Sequence, residues 1–246
     1  MTPEERKIYE MMLTDYYVGY CRGSKVYGTF KEGVSDEDYL YVVPDNYGDF
    51  LSQFPRGIGQ YTKIKTDLYY GYKDLDGDWR VGGKMPDIEC DFEFVSETTF
   101  LNMIDNNDIV ALEAIFVPDG YWYGMDCKRN EYRDRFVLDK WKLRTSISSI
   151  CSNSWVKAKK KLTVEKDYNL RIAQKSLWHS LRLYMFGIQI ATDGKITDWG
   201  CANHLWDEID NAEDKTWDYY KVKYQPLFNS LRSELVKLCD RPKEIN

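Results

Sequence analysis

The sequence predicts an α+β domain followed by a helical domain, and three observations predict it. Residues 87–95 alternate acidic and apolar side chains with a period of two. Residues 36–43 form a second strand-like run that stops at Pro44. Past residue 131, strand signals give way to helical periodicity. With 246 residues, 43% hydrophobic and 30% charged, the chain can bury one large core or two smaller ones.

The elements follow in order. Thr2-Pro3-Glu4-Glu5 combines a capping residue, Pro in the first turn and acids near the positive end of a helix dipole, which predicts a helix to about Tyr20. Gly23-Ser24 opens a short helical piece through Tyr27, and 28–34 reads as a loop. The strand at 36–43 ends in a Pro44-Asp45-Asn46 turn. A Tyr- and Lys-rich stretch at 61–72 fits another strand, and the Gly- and Asp-rich 74–83 a hairpin or loop. In 87–95, Asp87, Glu89, Asp91 and Glu93 share one face, and Ile88, Cys90, Phe92 and Phe94 share the other. Ser96-Glu97-Thr98-Thr99 then opens a helix with Phe100, Leu101, Met103 and Ile104 on its apolar side. A second helix runs over 109–116. Pro118-Asp119-Gly120 is a break that divides the chain into domains 1–120 and 121–246. Helical patterns follow at 135–160, 166–191, 200–211 and 215–239, with Asp193-Gly194 as a turn.

Composition narrows the function. The net charge of −6 argues against a broad nucleic-acid coat, because phosphate binding needs clustered Lys and Arg, but it is compatible with a local basic groove. Lys157-Ala158-Lys159-Lys160-Lys161 is the one dense basic run, and reads first as a solvated helix end. Six Cys without a CxxC pair read as reduced thiols, and two His exclude a His-rich metal site. No apolar run approaches the ~20 residues of a membrane span, so no membrane contact is expected. The charged start of the chain does not look like a signal peptide, and a cytoplasmic protein is expected. Nothing in the pattern encodes an oligomeric state.

One ordered combination points to chemistry. Gly23-Ser24 stands at a helix start, and Asp36-x-Asp38 follows at a strand start. A Gly lets backbone approach a phosphate, and helix N-terminal amides with a Ser hydroxyl can hold its oxygens. Asp residues at i and i+2 on a strand share a face and offer the oxygen ligands that Mg²⁺ or Mn²⁺ takes. A third carboxylate on a neighbouring strand would complete a two-metal site. Asp91 is the choice for it, with Glu89 and Glu93 on the same face as fallbacks. Alone, a Gly-Ser pair is commonly a turn and an Asp-x-Asp a wet strand end; their order is what carries the reading. On the helix at 166–191, spacings of four and three put Lys175, His179 and Arg182 on one face, where they could meet a triphosphate. A basic solvated face, or a His capped within the interdomain core, is the plainer alternative. Glu113 reads as structural, paired with a neighbouring basic group.

Gly23-Ser24-Lys25-Val26-Tyr27-Gly28-Thr29 followed by Ser35-Asp36-Glu37-Asp38 resembles the signature of the polymerase-beta nucleotidyltransferase superfamily. It looks most like the branch of predicted nucleotidyltransferases linked to RNA repair, which includes phage members. Asp91, Phe100-Leu101, Ala111-Leu112-Glu113-Ala114-Ile115-Phe116 and the Lys175-x-x-x-His179-x-x-Arg182 helix resemble further motifs of that branch. Three positions depart from it. Glu37 stands where an apolar or aromatic residue is usual, Lys25 where Arg is common, and Asn107-Asp108 where Asn-Pro is expected.

The resemblance implies a nucleotidyltransferase fold, a mixed sheet with flanking helices, and a C-terminal helical domain closing the nucleotide cleft. It implies transfer of a nucleoside monophosphate from an NTP, ATP first, to a hydroxyl, with an RNA (tRNA) end as acceptor and Mg²⁺ or Mn²⁺ as cofactor. Asp36, Asp38 and Asp91 would be the catalytic and metal-binding acids. Gly23, Ser24, Lys175, His179 and Arg182 would bind the nucleotide. The alternatives are a protein or small-molecule acceptor, or a degenerate module that binds nucleotide without turnover.

Overall fold

The computed structural model of the chain describes residues 3, 7, 8, 11, 15–31, 35–61, 69–73, 79–84 and 90–240. They form two compact units, Met1–Ile104 with Glu113–Arg135 and Asp105–Leu112 with Phe136–Asn246. The break expected at Pro118-Asp119-Gly120 lies inside the first unit.

The elements of the first unit begin with β1 (Val18–Arg22), α1 (Ser24–Tyr27), β2 (Glu37–Val43), α2 (Gly48–Leu51), β3 (Ile58–Tyr61), β4 (Tyr69–Lys73), β5 (Trp79–Lys84) and β6 (Cys90–Ser96). They continue with α3 (Glu97–Asp105), α4 (Ile109–Phe116), β7 (Trp122–Gly124) and α5 (Asp126–Arg135). α3 and α4 also carry the short stretch that belongs to the second unit.

Five strands make one mixed sheet in the order β3-β6-β2-β1-β7, in which only β2 and β6 run parallel among these pairs. β4 and β5 form a separate antiparallel ladder, so the stretch read as a hairpin or loop contributes a strand. Residues 62–68, 74–78 and 85–89 lie outside the described residues, and with them parts of the stretches read at 61–72, 74–83 and 87–95.

β1 corrects the sequence reading, which carried a helix to about Tyr20. Val18-Gly19-Tyr20-Cys21 are all buried, with strands paired on both sides. β-branched and aromatic residues pack well on a pleated surface, and here that packing outweighs the helix-start signal upstream. Gly19 allows it: a Cβ there would come within 2.8 Å of the Tyr41 ring and 2.9 Å of the Tyr123 ring.

The period-two pattern sorts the two faces of the sheet. Tyr41, Val43, Cys90, Phe92 and Phe94 point to one side, where they pack with Met11, Tyr47 and Leu51. Tyr41 stacks on Phe94 at 5.7 Å and Tyr39 on Phe92 at 5.6 Å. Burying each such side chain stabilises the fold by roughly 1.5–3 kcal/mol. On the other side, Tyr20 stacks on Phe100 of α3 at 6.0 Å, and Phe100 meets the Tyr132 ring of α5 edge-on at 5.2 Å.

The second unit contains α6 (Lys140–Thr163), α7 (Leu170–Asp193), α8 (Asn203–Asp210) and α9 (Trp217–Leu238). Their starts are set by caps. Asp139 Oδ1 accepts from the amides of Trp141 and Lys142, each at 3.0 Å, and Asn169 Oδ1 accepts from that of Ile172 at 3.0 Å. α7 ends at Gly194, in the left-handed region. Trp155 of α6 packs on Phe228 of α9 at 4.5 Å between ring centres. No helix among the described residues is long and apolar enough to cross a membrane.

Candidate active site

β2 lies between β1 and β6, and this order builds the site. Asp38 is the Cα partner of Arg22 on one side and of Asp91 on the other. Side chains opposite one another in a ladder point to the same face, so two carboxylates and a guanidinium come together at one end of the sheet. Two like charges side by side repel unless a cation stands near them.

Gly23 follows Arg22 at φ 68° and ψ −151°, a region open only to glycine. A Cβ at this position would lie 1.9 Å from Asp38 Oδ2. A side chain at Gly23 would therefore collide with the Asp38 carboxylate. The Gly23 carbonyl accepts from the amides of Val26 and Tyr27 at 3.1 and 3.2 Å, which closes the single turn of α1. Ser24, half-buried, is the first residue of that turn.

Arg22 is the residue that sequence reasoning missed. Its Nη1 binds the Glu93 carboxylate, and its Nη2 lies 3.8 Å from Glu113 Oε2. Burial works against the charge on Arg22, but Glu93 and Glu113 outweigh it and raise its pKa. Glu113 is buried, and Tyr27 Oη donates to it at 2.9 Å. The basic partner expected for Glu113 is thus Arg22. Gln60 Nε2 donates to Glu93 at 3.1 Å. Glu93 is engaged in this network, and Glu89 lies outside the described residues. The signal in the sequence was weak: Arg22 directly precedes Gly23-Ser24, but its partners depend on strand register and on α4.

The opposite face holds two of the three departures from the signature the chain resembles, and they answer each other. Lys25 Nζ binds the Glu37 carboxylate, and Tyr39 Oη donates to it too. Burial pushes the pKa of Glu37 up, but the hydrogen bonds from Lys25 and Tyr39 prevail and hold it below the usual carboxylate value. Two thiols flank this pair. Burial pushes Cys21 up to about 11, with Lys25 working against the shift, and Cys90 up to about 12, with Glu37 adding to it. Both stay protonated at neutral pH, as expected for reduced, unreactive cysteines.

Asp36 precedes β2 by one residue and is half-buried. Among the described residues, no group of three or more His, Cys, Asp or Glu side chains is gathered closely enough to hold a metal ion. The donor chemistry of Asp38 and Asp91 suits a divalent cation, since both offer hard carboxylate oxygens on one face. Asp36 is the third acid that would have to join them.

The remaining candidates sit on α7 of the second unit. Lys175 is exposed, His179 half-buried and Arg182 buried. Arg182 Nη2 lies 3.1 Å from His179 Nδ1. Its guanidinium stacks on the rings of Trp178 at 4.6 Å and Phe186 at 5.5 Å. His179 and Arg182 are brought together, while Arg182 is packed among aromatics in place of standing on a solvated face. On α6, Lys160 and Lys161 both pair with Asp167, which fits the plainer reading of the basic run.

The chain matches no protein-family model and no curated protein. Among solved structures it is similar to a nucleotidyltransferase-like protein from Exiguobacterium sibiricum. The match has 11% identity and a TM-score of 0.37, and covers 98% of this chain and 81% of that one. It is also similar to an aminoglycoside 6-adenyltransferase from Bacillus subtilis, at 11% identity and a TM-score of 0.29, over 96% and 89% of the two chains. At these scores neither likeness carries an argument about this chain.

Proposed function

We propose that the protein is a nucleotidyltransferase that moves a nucleoside monophosphate from an NTP, ATP first, to a hydroxyl on an RNA end. The observation that carries this reading is the register that sets Asp38 between Asp91 and Arg22, directly beside Gly23-Ser24. The acceptor oxygen attacks the α-phosphorus, the bond to the bridging oxygen breaks and pyrophosphate leaves. Asp91 is the group assigned to take up the proton of the acceptor hydroxyl. The Ser24 hydroxyl and the first amides of α1 would bind phosphate oxygens. A divalent ion such as Mg²⁺, held by Asp36, Asp38 and Asp91, would neutralise charge on the triphosphate and lower the pKa of the hydroxyl. This chemistry belongs in the cytoplasm, where NTPs and RNA ends are supplied.

A second reading is a module that binds nucleotide without turnover. One experiment separates the two. The protein is incubated with each labelled NTP, Mg²⁺ or Mn²⁺ and total tRNA, beside the Asp36→Ala/Asp38→Ala variant. Label on RNA that drops by on the order of 10³-fold in the variant supports the enzyme. Metal-dependent NTP binding without transfer to RNA moves the acceptor to a protein or a small molecule, or leaves the module. Neither binding nor transfer sinks the proposal.

A further inference from the structure

Glu113 is the charged residue of an otherwise apolar α4. Ala111, Leu112, Ala114 and Ile115 around it are fully buried, and Glu113 itself is 4% exposed. A carboxylate in such surroundings is tolerated where hydrogen bonds and a cation meet it. Two of its contacts come from either side of Gly23-Ser24. Arg22 immediately precedes Gly23, and its Nη2 lies 3.8 Å from Glu113 Oε2. Tyr27 is the last residue of α1, and its Oη donates to Glu113 Oε1 at 2.9 Å. The contacts fall on different oxygens, so one carboxylate grips the chain both before and after the turn. Gly23 in between lies against the Asp38 carboxylate, at a backbone angle only glycine adopts. A single turn held at both ends keeps little freedom between them.

We propose that Glu113 is a positioning residue that fixes the Gly23-Ser24 turn from both ends and so sets the place of the Ser24 hydroxyl for a nucleotide phosphate. The inference rests on the reading of Ser24 as a phosphate contact. Glu113 touches no substrate in it and acts through Arg22 and Tyr27. A merely structural Glu113 would lower stability, and the effect of a Ser24 change on nucleotide binding would stay as it was. A positioning Glu113 makes the two changes depend on each other, because a misplaced hydroxyl is worth no more than a missing one.

The test is calorimetric titration of the full chain with ATP, GTP, CTP and UTP in the presence of Mg²⁺. The NTP that the wild type binds most tightly is then used for Ser24→Ala, Glu113→Gln and Ser24→Ala/Glu113→Gln, each checked for folding by circular dichroism. Glu113→Gln keeps an oxygen for Tyr27 and loses the charge that meets Arg22. Each single change is expected to weaken binding about tenfold, the scale of one hydrogen bond to a charged group. The double variant is also expected to lose about tenfold, where independent losses would multiply to about 100-fold. Tyr27→Phe, which releases one end of the turn, is expected to weaken binding less and to show the same dependence on Ser24. If Glu113→Gln does not fold, Tyr27→Phe completes the cycle. In the tRNA labelling assay the loss is expected in the KM for the NTP rather than in kcat, since the hydroxyl holds a group present before and during transfer. Losses that multiply, or a folded Glu113→Gln with wild-type affinity, overturn the role of Glu113 and leave nucleotide binding standing. Wild-type affinity in Ser24→Ala overturns the Ser24 contact and the inference with it. A wild type that binds none of these NTPs overturns the nucleotidyltransferase reading as well.

Discussion

On each face of the sheet a cation meets strand carboxylates, and the two are shared differently. On the aromatic face Lys25 meets Glu37, one charge against one, and Tyr39 donates a further hydrogen bond. On the opposite face Arg22 is bound by Glu93 and Glu113 while Asp38 and Asp91 stand alongside. The first is a pair of one charge against one; in the second, one guanidinium is shared between two carboxylates.

The comparison breaks most visibly at Gly23. Gly23→Ala forces a Cβ into the space of Asp38 Oδ2 at a backbone angle only glycine adopts. A loss on the order of 1–3 kcal/mol is expected from thermal or denaturant unfolding. Gly194 also has a positive φ, but a Cβ there meets nothing within 4 Å. Gly194→Ala is therefore expected to cost less, and equal losses would show that crowding against Asp38 contributes nothing. A smaller effect is expected at the edge of the acid-rich face. Tyr27→Phe removes the hydroxyl that donates to buried Glu113, at a cost of about 1–3 kcal/mol in urea unfolding. A neutral result would mean that Glu113 is satisfied by its other partners without this hydroxyl.

The smallest effect is expected on the balanced face. The Lys25–Glu37 pair is partly exposed, so Glu37→Gln is expected to cost about 1 kcal/mol or less at neutral pH. The folded pKa of Glu37 is lowered, so its contribution is present above the ordinary carboxylate value and lost as pH falls through the depressed one. The gap in stability between wild type and Glu37→Gln should therefore narrow on acidification, measured by urea unfolding across a pH series. A gap that widens on acidification would contradict the pairing.

What could be read from the sequence was what repeats with a period. The alternation at 87–95 assigned Cys90, Phe92 and Phe94 to the core and Asp91 and Glu93 to the other face, and β6 has that pattern in the described part. α6 to α9 follow their helical periodicity closely. α5 was missed because Asp126–Arg135 has no apolar stripe; of its residues only Arg129 and Tyr132 are buried. It is held by polar contacts that no periodicity announces. Tyr132 Oη and Lys128 donate to Glu97, and Arg133 Nε donates to the Ile115 carbonyl at 2.7 Å. The one-face spacing of Lys175, His179 and Arg182 was legible, and so, in hindsight, was the burial of Arg182: Trp178 and Phe186 flank it at i−4 and i+4. Glu37 and Lys25 each looked like an isolated departure, because their partnership arises only where α1 folds beside β2.

β1 and β2 are antiparallel and close along the chain, whereas β2 and β6 are parallel and far apart in it. Loop-closure entropy favours early formation of the first pairing and delays the second. Asp38 is thus expected to meet Arg22 and Gly23 before it meets Asp91. In a nascent chain whose β6 has not yet docked, Asp38 would stand in place with its carboxylate partner still to arrive.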